Sequence, residues 1–536
     1  MIKTRRQIIT GLGATLGAGL GSLSLSACAP APGKLTTGAS SSASKGLEYL
    51  FPLGVASGDP NSDGFVIWTR LAPEPMSETG GMNGPVSVTW QVAEDELFAK
   101  VIRAGITTAT SDWAHSVHVE VSGLLPLRPY YYRFIAHGQT SPVGRSKTTP
   151  LYGANVDHLR FGIASCQHWE QGFFNAYNDM VAQDPDLIIH LGDYIYEASW
   201  GPQVRRQATT DAVSLTDYRR IHAQYKTDPA LQAAHAHAPW LFIWDDHEFV
   251  NDYANLEDEN YMPLEQVRTR RAAAYKAYYE HMPVRLRSQP KGEHMRLYDY
   301  FYYGNLMTMA LTDGRQYRDD QACQTDTDGG GRPVARETCP QFDDPKRSMF
   351  GKEQERWLMP SFARSGAQWE VLAQPTLFSR LFQKTREGTP AAWNDGWDGY
   401  PAARNMLLKA VEQRQPKNFI SIGGDMHSWW QADLKADYND PNSKVLGSEF
   451  VTTSVTAHSY NYNNFQRMLP DNPHINFVDD RKRGYSLVDL TPDKWLLQMK
   501  ETTSVYDPKA GAETVRAYVV ENGIPGSNLT NVLKAE

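Results

Sequence analysis

The sequence predicts an all-β segment followed by an α/β domain, because its hydrophobic periodicity changes near residue 157. Before that point, short runs alternate apolar and polar side chains; beyond it, continuous apolar runs alternate with helical stretches. A third observation concerns function. Most of the later apolar runs end in a cluster of Asp, His, Cys or Tyr.

Composition sets the outer bounds. The chain has 536 residues, of which 41% are hydrophobic, 11% aromatic and 21% charged. That excludes a multispanning membrane protein and a disordered chain, and the length suits roughly two to four domains. With 53 basic and 61 acidic side chains the net charge is -8, so no global field draws nucleic acid. Four Cys, at 28, 166, 323 and 339, are too few for a disulfide scaffold.

Residues 1–28 read as an export signal. Arg5 and Arg6 precede a weakly apolar, Gly-rich run, the layout of a twin-arginine leader, and the run lacks the roughly 20 strongly apolar residues of a membrane span. Leu25-Ser26-Ala27-Cys28 resembles a lipobox in which Cys28 receives lipid; simple cleavage after Ala27 or Ala29 is the alternative. Residues 29–46, rich in Ala, Pro, Gly, Ser and Thr, make a flexible tether. Export to the periplasm or beyond follows, with the twin-arginine machinery as partner. The membrane is met only through the leader or a lipid anchor.

Residues 47–150 carry alternating runs at 64–69, 86–92, 115–121 and 130–136, separated by Gly, Pro, Asn and Asp turns. They predict an N-terminal β-sandwich of fibronectin or immunoglobulin type without an internal disulfide. Residues 157–500 carry apolar runs at 159–165, 187–191, 240–244, 306–311, 369–373 and 419–422, with helices expected at 170–183, 264–279 and 352–363. A strand at 450–455 would close a second sheet. Residues 501–536 are expected as an extension, with 515–520 apolar and a lid over the crevice as one role. Export to an oxidising compartment permits a Cys323–Cys339 disulfide across a Gly-rich loop.

Open α/β sheets bind ligands at the carboxyl ends of their strands. Four strand ends therefore converge: Ser165-Cys166-Gln167, Gly192-Asp193-x-x-Tyr196, Asp245-Asp246-His247-Glu248 and Gly424-Asp425-Met426-His427. A thiol, a phenol, imidazoles and carboxylates supply both soft and hard metal ligands, and a carboxylate such as Asp193 can bridge two ions. Two such ions hold a phosphoryl group and activate water, which is the logic of metal-dependent phosphatases.

These motifs resemble the calcineurin-like metallophosphoesterase superfamily, in the version of PhoD-type alkaline phosphatases. Asp313-Gly-Arg-Gln-Tyr-Arg318 and Gly351-Lys-Glu-Gln-Glu355 add to the likeness, which spans roughly residues 49–489. The resemblance implies a four-layer α/β/β/α catalytic domain and an alkaline phosphatase or phosphodiesterase working through a metal-activated hydroxide. It implies Fe3+ held by Cys166, Asp193, Tyr196 and His427, and Ca2+ held by Asp193, Asp246 and Asp425. The broader superfamily has Asp-x-His, Asn and Gly-His-x-His where Cys166, Asp246 and Asp425 stand. The added anions favour calcium beside a highly charged iron over a zinc pair.

Further assignments are expectations from position. His247 suits a phosphate contact or proton donor. Arg315 and Arg318 suit a phosphate clamp. Gln374, at a strand end, is a weaker candidate for the second metal or phosphate, and 393–400 for the crevice mouth. Small phosphate esters are the expected substrates, with nucleic acid only as a phosphodiester substrate. A phospholipase D-like phosphodiesterase acting on phospholipids is the runner-up, and a non-catalytic binder the reading from another class.

Overall fold

The computed structural model describes residues 48–325, 329–385 and 387–530. The export signal, the tether and Cys28 lie outside the described residues. The described residues are rich in sheet.

Among the described residues, ten strands form one sheet. Its centre is parallel: Leu159–Ala164, Leu187–Leu191 and Trp240–Ile243 lie side by side, with Ile188 opposite Gly162 and Trp240. A second, seven-stranded sheet is built around Met307–Leu311, Trp369–Ala373, Phe419–Gly423 and Val445–Val451, all parallel. Such strands are covered on both faces, which explains their nearly continuous apolar sequence.

The two-residue period of a strand decides which core each side chain enters. Ile189, Leu191, Phe161 and Ile163 point into a core between the sheets, where they meet Met309, Val371, Ile420 and Ile422. Ile188, Trp240 and Phe242 point the other way, onto Tyr177, Ile221, Leu231 and Tyr275 of the covering helices. On the far side of the second sheet, Ala310, Leu372 and Phe419 pack on Leu358, Leu407 and Val411. Gly162 is small for a reason: a Cβ there would sit 2.6 Å from the Met180 sulfur of the helix above.

The helices depart in detail from expectation. The stretch at 170–183 is a short turn followed by Ala176–Ala182, because extended backbone at Gly172 separates them. The 264–279 helix runs Leu264–His281. The third ends at Leu358, ahead of Pro360, which cannot continue the hydrogen-bond ladder. Leu215–Lys226, with a Ser214–Asp217 capping box, and Pro229–His237, capped by Asp228, complete the layer over the first sheet.

The N-terminal segment is mostly β and is joined to the body by hydrogen bonds. Val55–Asn61, Gly64–Arg70 and Ser116–Val121 extend the ten-stranded sheet beyond Trp240–Ile243. The remaining strands, among them Val86–Ala93 and Pro129–Ala136, pack Val88, Val92, Tyr132 and Phe134 onto Phe65 and Ile67. The sheet therefore crosses the boundary expected at 150–157.

The C-terminal segment also differs from expectation. Lys494–Thr502 runs through the expected limit at 500, and Ala512–Glu521 and Asn528–Thr530 add two strands at the sheet's other edge instead of closing as a lid. Among the described residues, no helix is long and apolar enough to cross a membrane.

Candidate metal centre

Local backbone shape gathers the site. Just past their strands, Cys166, Asp193, Asp425 and His427 all have left-handed φ angles, between 48° and 58°. Each such conformation costs a non-glycine residue about 1–3 kcal/mol and persists where the surroundings enforce it. Cys166 N–H donates to the Gly192 carbonyl at 3.1 Å and Gln167 N–H to the Asp193 carbonyl at 3.1 Å, so one turn is laid on the next. Gly192, at φ 101°, lets the chain pass Asp245, whose Cβ would lie 2.7 Å from a Cβ at this position.

Glu248 fastens this arrangement from beneath. Its buried carboxylate accepts from the N–H groups of Asp193 at 3.0 Å, Tyr194 at 2.6 Å and Asp245 at 2.9 Å. Burial and then the Asp193 charge push its pKa up to about 8, against those three hydrogen bonds.

Two groups of metal-type ligand atoms result, each with its members within 4.8 Å of one another: Cys166, Asp193 and His427, and Asp193, Asp246 and His247. Asp193 belongs to both. Its buried Oδ1 has no hydrogen-bond partner, while Oδ2 accepts from the Tyr196 hydroxyl at 3.0 Å. Tyr196 also lies 3.0 Å from His427 Nε2, and the imidazole is oriented by Nδ1 donating to the His458 carbonyl at 3.1 Å. Cys166, Asp193, Tyr196 and His427 are therefore brought together.

The electrostatics are those of a site built for cations. Burial, then the charge of Asp193, pushes the Cys166 thiol and the Tyr196 phenol well up. Burial pushes Asp425 up to about 7; Arg315 works against this and Asp246 with it. Burial alone would raise Asp246, but Arg315 and His247 outweigh it and hold that carboxyl well below the usual range. Asp425 is fixed by the Thr376 hydroxyl, which donates to Oδ2 at 2.6 Å. An unmatched buried polar atom and a surplus of anionic donors fit bound metal ions.

His247 is held by Glu197, whose Oε2 is 2.7 Å from Nδ1, and its ring lies 4.3 Å from that of Tyr196. Against burial, the charges of Glu197, Asp246 and Asp193 raise its pKa well above the ordinary value.

Three expected roles change. Arg315 does not present a free fork: it bonds Asp245 at 2.5 Å and Asp395 at 2.9 Å, and lies 3.5 Å from Asp246. Arg318 is fully buried against the Asp395 carboxylate at 2.8 Å and the Met349 sulfur at 3.2 Å. Gln374 turns back on its own strand end, its Oε1 accepting from Thr376 N–H at 3.2 Å and Trp397 Nε1 at 3.0 Å. All three position other groups, and Gln374 does so by shaping the Thr376 turn that holds Asp425. In the 393–400 stretch Asn394, Asp395, Trp397 and Tyr400 are buried, whereas Trp393 is exposed.

Sequence reasoning gave no role to Glu197 or Thr376, and none of these positioning roles to Glu248 or Asp395. Glu248 stood inside a motif already singled out, and Glu197 directly follows Tyr196. Asp395 stood in the 393–400 stretch, considered there only as part of the crevice mouth, and nothing local marked Thr376. Cys323 and Cys339 form a disulfide. The chain just ahead of Cys323 reaches the partner of Arg315 through Gln321, which donates to Asp395 at 2.8 Å, and the Ala322 carbonyl accepts from Asn394 at 3.1 Å.

Residues 161–499 match the family described as PhoD-like phosphatase, and residues 37–150 match its N-terminal domain. The chain belongs to the PhoD-like phosphatase family, and so is a phosphoric ester hydrolase. It is 43% identical over 489 residues to alkaline phosphatase D of Bacillus subtilis (strain 168), covering 89% of this chain and 82% of that one. A solved structure of PhoD superposes with a TM-score of 0.85 at 42% identity, covering 91% of this chain and 94% of the other.

Proposed function

We propose that the protein is an exported, metal-dependent alkaline phosphatase with phosphodiesterase activity, loaded with Fe3+ and Ca2+. The observation that carries this reading is Asp193, one carboxylate common to two ligand groups. Cys166, Asp193, Tyr196 and His427 would hold the ferric ion, since thiolate and phenolate lower its effective charge. Asp193, Asp246 and Asp425 offer hard oxygens suited to calcium. The name of the Bacillus relative supports a phosphate-ester substrate, and small esters are the substrates proposed here.

When bound, the ions would hold phosphoryl oxygens and activate a water for in-line attack. The chain's own part is to place and protonate. Glu197 occupies His247 Nδ1, which leaves Nε2 to contact phosphate or to carry a proton to the leaving oxygen, a contribution of about 10²–10⁴-fold for a well-placed acid. Arg315 neutralises Asp245 and Asp246 and fixes their direction.

The same reading extends to the finer architecture: an immunoglobulin-like N-terminal sandwich and a four-layer α/β/β/α catalytic domain. It places the protein in the periplasm or outside the cell, delivered by twin-arginine export and anchored at most through a lipid on Cys28. The Cys323–Cys339 disulfide supports an oxidising compartment. Metal analysis with absorption spectroscopy on protein exported by its native route tests the ions. A visible tyrosinate-to-iron band that Tyr196→Phe removes is expected; zinc with no visible band would overturn the iron assignment.

A further inference from the structure

Beside the metal centre runs a strip of aromatic side chains that takes no part in the ligand groups. It starts at His458, whose carbonyl accepts from Nδ1 of His427 at 3.1 Å. The His458 ring lies 6.0 Å from that of Tyr460 and 5.8 Å from that of Tyr506, within 11° and 13° of parallel. Both tyrosines face solvent, 76% and 54% exposed.

Exposed apolar rings scattered singly need no explanation. These two flank one imidazole, and each is braced from below by a buried polar residue. Asp480, 2% exposed, accepts from the Ser459 hydroxyl at 2.8 Å and the Asn461 N–H at 2.7 Å, the two neighbours of Tyr460. The buried Asn175 amide donates to the carbonyls of Ser504 and Asp507 at 3.0 and 2.7 Å, on either side of Tyr506. Gln171 Oε1 accepts from His458 N–H at 2.6 Å, and the Tyr506 hydroxyl lies 3.2 Å from His458 Nε2. Rings held this way lose little freedom when a ligand packs on them, which is the property of a binding surface.

The surroundings narrow the ligand. At Tyr460 the surface dips into a groove of about 700 Å³ lined by Asn463, Asn464, Gln466 and Arg467. That lining carries amides and a guanidinium and nothing aliphatic, so an acyl chain finds no partner there. Amide side chains pair with base edges, and bases stack on aromatic faces. Ring planes close to parallel favour a flat group over a puckered sugar.

We propose that Tyr460 and Tyr506 stack the base of a nucleotide whose phosphate occupies the metal centre. The inference rests on the phosphatase reading above and names its leaving group, a nucleoside. Water adds to phosphorus, the bond from phosphorus to the nucleoside oxygen breaks, and that oxygen takes up a proton as inorganic phosphate remains. Stacking holds the base alike before and during that step, so it lowers KM more than it raises kcat.

Two measurements test it. The metal-loaded protein is assayed with adenosine 5′-monophosphate, glycerol 3-phosphate and glucose 6-phosphate. Tyr460→Ala should lower kcat/KM for the nucleotide about tenfold relative to the other two, chiefly through KM, and Tyr460→Phe should restore it. The second measurement uses adenosine, which carries no phosphate. Saturation-transfer NMR should show contact between the protein and its purine protons, lost when Tyr460→Ala and Tyr506→Ala are combined. If no ester is turned over but that contact is seen, the phosphatase reading fails and the platform stands. Contact that is absent in the wild-type chain or persists in the double variant would overturn the platform, as would a nucleotide kcat/KM that Tyr460→Ala leaves in step with the other two.

Discussion

On one side of Asp193, Cys166 and His427 stand on left-handed turns at strand ends, and Cys166 is locked there by its N–H bond to the Gly192 carbonyl. On the other side, long-range side chains add to the backbone: Arg315, tied to Asp245 and Asp395, flanks Asp246, whose Oδ2 accepts from Asp252 N–H at 2.7 Å, and Thr376, tied to Gln374, fixes the Asp425 carboxylate. The first half belongs to the strand ends themselves. The second depends on residues far apart in the chain, including the disulfide-bearing loop. Damage to distant side chains should therefore reach the second half and spare the first.

The largest effect tests what the halves share. Asp193→Ala should abolish phosphatase activity and the binding of both metals together, read by elemental analysis and turnover of a soluble phosphate ester. A fully active, metal-free variant would sink the site assignment. Next, Arg315→Met should lower activity and calcium affinity about 10- to 100-fold, as loss of an orienting partner does, with the visible iron band intact. Equal loss of both metals would erase the distinction between the halves.

The pH response sharpens it further. Asp425 has its carboxyl pushed up to about 7, so below that pH a proton competes with calcium. Calcium affinity, measured by isothermal titration, should fall about tenfold from pH 8 to pH 6. Iron loading should instead release protons from both Cys166 and Tyr196 across the neutral range, because both are raised well above it. The smallest catalytic effect is expected from Cys323→Ser with Cys339→Ser. Opening the loop should cost about 3 kcal/mol in denaturant unfolding, with turnover at room temperature retained.

The same division explains what the sequence revealed. Clusters at strand ends are local patterns, so Cys166, Asp193, Tyr196, Asp246, Asp425 and His427 could be named from spacing and resemblance. Arg315 and Arg318 could not be read correctly. A guanidinium past a strand looks available until Asp245 and Asp395 are seen to occupy it, and those pairings span 70 and 77 residues. The all-β and α/β segments were legible from periodicity. Their fusion into one sheet was not, because Gly58 meets Trp240 through a contact with no sequence signature.

The pairing of Leu159–Ala164 with Gly484–Leu490, Gly162 opposite Leu487, carries a consequence for synthesis. Emerging from the ribosome, the strand that leads into Cys166 gains Leu187–Leu191 early but must wait for nearly the whole chain before its second neighbour arrives. Contacts of such high order slow folding and leave an open strand edge exposed in the meantime. A truncated nascent chain would hold every proposed iron ligand and still lack the finished sheet from which they project.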